Sequence, residues 1–131
     1  MSDFLNEMAY EEKWSINSIH VMIERNEIDL HPEYNRKFWV QRDMKGFVVS
    51  LMNGFSCPPM SMYQDVDMSS GRKFYECDDG MNRINSIRMF LCDNMEINGK
   101  TFSDLPIKTQ NNFKKIHIPV VLFLDLSAQL F

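Results

Sequence analysis

Long hydrophobic runs are missing from this chain. The longest apolar stretch, Ile118-Pro-Val-Val-Leu-Phe-Leu124, falls far short of the roughly 18 residues that a membrane-spanning helix needs. The N-terminus, Met1-Ser-Asp-Phe, is acidic where a secretory signal would be basic, so a soluble, intracellular protein is expected. Paired cysteines are also missing. Cys57, Cys77 and Cys92 are odd in number and form no Cys-x-x-Cys spacing, which excludes a disulfide framework and a zinc ribbon or finger. There is no surplus of positive charge: fourteen basic residues against eighteen acidic leave a formal charge of -4. A nonspecific grip on nucleic acid through bulk charge is therefore excluded, while a local basic site is not. Repeats and low-complexity tracts are lacking as well, so organisation has to be read from periodicity and punctuation.

What is present is an ordinary globular composition. The 131 residues fall within the usual range for one domain, 44% of them are hydrophobic, and two Trp, four Tyr and ten Phe supply bulky core anchors. Ile16, Ile19, Val21, Met22 and Ile23 recur at near-helical spacing with Trp14 before them, which predicts a helix over about 16–25 after Ser15. Ile28 and Leu30 read as a brief extended segment, and the stretch from His31 to Trp39 reads as a loop rich in polar and aromatic groups. Met44, Phe47, Val48, Leu51 and Met52 form a helical stripe that Gly54 is placed to stop. Cys57-Pro58-Pro59 then turns the chain. Two strands, Met60 to Tyr63 and Lys73 to Cys77, are expected as a hairpin leading into an Asp-rich loop. After Gly80, the spacing of Ile84, Ile87, Phe90 and Leu91 predicts a helix over about 82–92. Asn98-Gly99 marks a turn, Ser103 or Asp104 is placed to cap a further helix through Lys115 with Pro106 in its first turn, and Ile118 to Leu124 reads as a strand. Helices and strands mix without regular alternation, so the expected class is α+β.

The chemistry is expected where the strand ending at Cys77 meets the helix after Gly80. The first N–H groups of a helix lack internal partners and carry the positive end of its dipole, so they favour an anion. Gly80 has no side chain to keep a phosphate from the backbone, and Arg83 brings a permanent charge with a fork that matches phosphate oxygens. Asp78 or Asp79 could hold a metal ion or the arginine itself. Alone, Asp-Gly-x-x-Arg is a common turn pattern, and an arginine in a first helical turn usually faces solvent. A second constellation adds weight: Tyr34-Asn35-Arg36 with Trp39, then a helix ending in Ser50-Leu51-Met52-Asn53-Gly54, then Pro58-Pro59.

In that order of motifs, the chain from about Trp14 onwards resembles the N-terminal domain of GmrSD-type modification-dependent restriction proteins, a branch of the ParB/sulfiredoxin-like superfamily. That family typically shows Tyr-Gln-Arg with a nearby tryptophan, a helix running into Ser-Ile-x-x-Gly and x-Pro-Pro, and Asp-Gly-Gln-Gln-Arg at a strand-to-helix turn. The resemblance implies a ParB/sulfiredoxin-like fold, with a small mixed sheet and surrounding helices. It implies binding of a nucleoside triphosphate with Mg²⁺, hydrolysis controlling a nuclease domain, and a role in DNA restriction or processing. By resemblance, Tyr34, Asn35, Arg36, Gly80, Asn82 and Arg83 would bind the nucleotide, Asp79 would hold the metal, and Asp79 with Arg83 would serve catalysis. Met81 and Asn82 stand where the family has two glutamines, and Asn35 where it has a third. Two function classes therefore stay open: an NTPase, and a noncatalytic protein- or DNA-interaction module that keeps the fold.

Other signals are weaker. No His-Asn-His nuclease pattern occurs, so DNA would be reached through a partner or a further domain. The chain ends at Leu126-Ser-Ala-Gln-Leu-Phe131, which reads as the start of another helix in a truncated domain, and a terminal Leu130-Phe131 would favour burial in a homodimer or against further sequence. Cys77 reads as a small core residue rather than a redox nucleophile. His20, His31 and His117 are too scattered for a metal site or a triad. Met44, Met52 and Met89 are expected to fill the core. Lys108, Lys114 and Lys115 with Asn111, Asn112 and His117 form the most basic stretch, read as a solvated helix face.

Overall fold

The computed structural model describes residues 7–30 and 38–125. In chain order the elements are β1 (Glu7–Ser15), α1 (Ile16–Glu24), β2 (Ile28–Asp29), α2 (Gln41–Met52), β3 (Met60–Val66), β4 (Lys73–Asp79), α3 (Met81–Leu91), a 3-10 turn (Phe102–Asp104), α4 (Ile107–Lys114) and β5 (His117–Asp125). The class is α+β, as expected.

Five strands form one mixed sheet in the order β1-β5-β3-β4-β2. β1 lies antiparallel to β5 and β3 antiparallel to β4, whereas β5 pairs parallel with β3 and β2 parallel with β4. The expected hairpin is present as β3 and β4. β1 was not anticipated, because Ala9, Tyr10, Glu11, Glu12 and Lys13 are all exposed and show no apolar alternation. It is an edge strand held by its ladder to β5, with Trp14 anchored in the core. Trp14 thus belongs to the strand and not to the helical stripe that follows. Ser15 makes the switch, its Oγ accepting from the Ser18 N–H at 3.0 Å to cap α1.

Register shows how the core forms. Trp14, Ile118, Val120, Leu122, Met60, Met62 and Cys77 share one face of the sheet and pack with Ile16, Ile19, Val48, Ile84, Ile87 and Phe90 from the helices. The described helices cover this face, and among the described residues none of the opposite face belongs to the buried cluster. The sheet coils enough for Trp14 on β1 to meet Tyr75 on β4 edge to face, with ring centroids 4.9 Å apart, although β5 and β3 separate those strands.

Local details differ from expectation in three places. β4 runs through Asp79, so the acidic pair ends the strand and Gly80 alone makes the turn. Thr101, not Ser103 or Asp104, caps the 3-10 turn in a reciprocal capping box with Asp104, and Pro106 is the N-cap of α4. Met44 is buried as expected, but Met52 is 38% exposed at the end of α2. Behind α3, Phe90, Phe102 and Phe113 meet pairwise at 5.4 to 5.9 Å and fasten the 3-10 turn and α4 to the core. The C-terminal segment read as the start of a helix lies outside the described residues.

Candidate functional site

The turn between β4 and α3 is set by Gly80, with φ +129° and ψ 3°, a conformation that side chains other than glycine rarely adopt. A Cβ built there would lie 2.7 Å from Cγ and 2.8 Å from Sδ of Met60, which is fully buried. Gly80 thus lets the start of α3 press onto β3. The missing side chain leaves room for Met60, a packing need that operates whether or not an anion binds.

Gly80 is the N-cap of α3 and brings no capping side chain of its own. The positive end of the dipole of this 11-residue helix lies here. Arg83 lies in the first turn with its side chain 12% exposed. Its Nη1 donates to the main-chain carbonyl of Pro58, and its Nη2 donates to Asp79 Oδ2 at 3.4 Å. Arg83 is thereby tied to the Pro58-Pro59 turn, and its Nε–H has no partner among the described residues.

Asn82, the second residue of α3, accepts the Trp39 N–H on Oδ1 at 3.0 Å. The Trp39 ring meets Phe47 of α2 edge to face at 5.8 Å, which anchors this segment from its other side. Met81 is 4% exposed and belongs to the core. Asp78 accepts from Ser61 Oγ at 3.0 Å, while Asp79 is 65% exposed beside Arg83. Ser86, fully buried one turn on, satisfies its hydroxyl by donating to the Asn82 carbonyl at 2.7 Å.

Three of the motifs read from the sequence thus meet at the start of α3: the segment carrying Trp39, the Pro58 turn and Asp79 to Arg83. Tyr34, Asn35 and Arg36 lie outside the described residues. Trp39 and Pro58 meet α3 through main-chain atoms, which carry no residue-type signal in the sequence.

Among the described residues no group of three His, Cys, Asp or Glu side chains could hold a metal ion. Asp79 alone would be a single carboxylate ligand, which suits a Mg²⁺ carried mainly by phosphate oxygens and not a cage built by the protein. Cys77 is 3% exposed in the core, as read from the sequence, and Cys57 and Cys92 are free thiols. An open cleft of about 330 Å³ beyond the C-terminal end of α3 is lined by Gln41, Lys45, Asp93, Asn94, Met95 and Glu96, and contains none of the site residues.

Among the described residues no helix is long and apolar enough to cross a membrane. Compared with known proteins, the chain matches no family model, no curated protein and no solved structure.

Proposed function

We propose that this chain is a nucleotide-binding domain of ParB/sulfiredoxin-like fold, which takes the phosphate groups of a nucleoside triphosphate at the start of α3. The observation that carries the reading is the convergence at the N-terminus of α3 of Arg83, the Pro58 turn and the Trp39 segment, which lie far apart in sequence. Arg83 adds charge and the remaining donors of its fork, and the helix dipole adds a favourable field. Asp79 places a carboxylate next to that anion site. A bare phosphate would be repelled by it, whereas a triphosphate carrying Mg²⁺ turns the same carboxylate into a ligand. By the resemblance, Tyr34, Asn35 and Arg36, outside the described residues, would also bind the nucleotide.

The geometry favours binding over hydrolysis. Of the two residues standing at the family's glutamine positions, Met81 is packed into the core and Asn82 holds the Trp39 main chain. Met81 presents no amide to orient water, and the Asn82 side-chain carbonyl oxygen is already engaged by the Trp39 N–H. The chain then acts as a ligand-sensing module in DNA restriction or processing, with any nuclease supplied by a partner or a further domain.

Calorimetric titration with each ribonucleoside triphosphate, with and without Mg²⁺, tests this. Saturable, Mg²⁺-dependent binding is expected, weakened roughly tenfold or more by Arg83→Lys, which keeps the charge but loses the fork. No binding by folded wild-type protein would leave the noncatalytic protein- or DNA-interaction module as the better reading.

A further inference from the structure

β1 ends the sheet: in strand order it has β5 on one side and, among the described residues, no strand on the other. The Ile16 N–H donates to the Ile116 carbonyl at 2.8 Å, continuing the register that sets Ser15 opposite His117. Bonded and non-bonded pairs alternate in an antiparallel ladder, so the even-numbered positions of β1 exchange main-chain bonds with β5. Pro119 agrees, since it has no N–H to exchange and stands opposite Lys13. The odd-numbered positions, Glu7, Ala9, Glu11 and Lys13, therefore turn their N–H and C=O groups away from β5, towards the free edge. Ala9, Tyr10, Glu11, Glu12 and Lys13 are all exposed, so no described element lies over this stretch.

Edge strands are commonly kept from pairing by shortness, by proline or by a bulge. β1 is nine residues long, contains no proline and keeps an unbroken register with β5. Its charges are left to decide what can pair with it. Two antiparallel copies of β1 related by a two-fold axis at Tyr10 set Glu7 of each opposite Lys13 of the other, Ala9 opposite Glu11, and Tyr10 opposite its own copy. Moving the axis to Ala9 sets Glu7 opposite Glu11, and moving it to Glu11 or Glu12 sets that glutamate against itself. An axis between two residues would face outward groups with inward ones. The axis at Tyr10 thus brings acid to base at both ends of the overlap and sets no acid against acid.

We propose that β1 pairs antiparallel with β1 of a second copy of this chain, about an axis at Tyr10, and so joins two five-stranded sheets into one. In that register Glu7 with Lys13 and Ala9 with Glu11 are the positions whose outward groups exchange main-chain bonds, about eight in all. Tyr10, 37% exposed in the single chain, meets its copy at a close non-bonded pair and is covered there. Positions of like parity face each other, so both cores lie on the same side of the joined sheet. A foreign strand would find the same N–H and C=O groups without the matched charges at both ends.

The test is sedimentation of the full chain over a concentration series, with amide hydrogen exchange followed residue by residue. A dimer is expected to form as concentration rises. The amides of Ala9, Glu11 and Lys13 should slow with it, while those of Tyr10 and Glu12, bonded to β5 in either state, stay protected throughout. Glu7→Lys alone and Lys13→Glu alone each set like charges opposite at both ends, and each should weaken the dimer roughly tenfold. An equimolar mixture of the two variants restores acid to base at both ends and should recover the wild-type affinity. Glu11→Pro removes an N–H that the β5 ladder does not use, so it should weaken the dimer while the thermal midpoint of the dilute chain stays nearly unchanged. A chain that stays monomeric at every concentration, a dimer whose Ala9 and Glu11 amides still exchange freely, or a mixture no tighter than the single variants would overturn the proposal.

Discussion

The backbone at Gly80 sits so close to Met60 that a single added Cβ would come within 2.7 Å of Cγ, and Gly80 also has φ +129°. Met60 is fully buried, so its side chain has little room to yield. Gly80→Ala therefore combines a strained conformation with overpacking, and is expected to cost about 2–4 kcal/mol in denaturant unfolding. Adding Met60→Ala should recover only the overpacking share, giving a measurable coupling between the two sites.

Met81→Gln tests whether an amide is tolerated inside the proposed Asp79–Arg83 phosphate loop. Because Met81 is 4% exposed, the change buries an amide among apolar groups. The expected result is a loss of about 1–3 kcal/mol of stability with no gain of triphosphate hydrolysis. Thermal unfolding and a phosphate-release assay on the same preparation check both parts.

Phe90 is 1% exposed and meets both Phe102 and Phe113 edge to face. Phe90→Ala leaves a cavity at the joint between α3, the 3-10 turn and α4, and should cost about 3–5 kcal/mol. Hydrogen exchange of the α4 amides should rise more than that of β3, which is held by pairing to β4 and β5.

Asp93 follows α3 in a left-handed conformation, with φ 61°, and accepts from the Ser103 side chain and main-chain N–H. The Ser103 hydroxyl first, then its N–H, holds the Asp93 carboxyl below the usual carboxylate range. A pKa lowered by folding means that the ionised form supports the native state. That support is fully present above the unfolded-state pKa and is lost as pH falls through the lowered native value. Carbon-detected titration should show this depression, and Ser103→Ala should reduce it while the Ser103 N–H keeps part. The acid limb of the stability curve should flatten accordingly.

Much of the architecture was legible because helices announce themselves through the spacing of apolar residues. The stripes Met44-Val48-Leu51 and Ile84-Ile87-Phe90 are the buried faces of α2 and α3. β1 was illegible for the converse reason: an edge strand with both faces largely solvated has no pattern to show, and only its pairing with β5 defines it. The candidate site divides in the same way. Arg83 and Gly80 could be picked out by residue type, whereas the contacts of Arg83 with the Pro58 carbonyl and of Asn82 with the Trp39 N–H involve main-chain atoms from other segments.

By itself, the sequence determined the α+β class, most element positions, the hairpin of β3 and β4, and the turn at Gly80, because periodicity and punctuation act over a few neighbouring residues. Tertiary structure alone decided that Met81 is core, that the described helices lie on one face of the sheet, and that Tyr63 and Phe123 meet on the other. Those outcomes depend on strand order and register, which join residues tens of positions apart and leave no local trace in the chain.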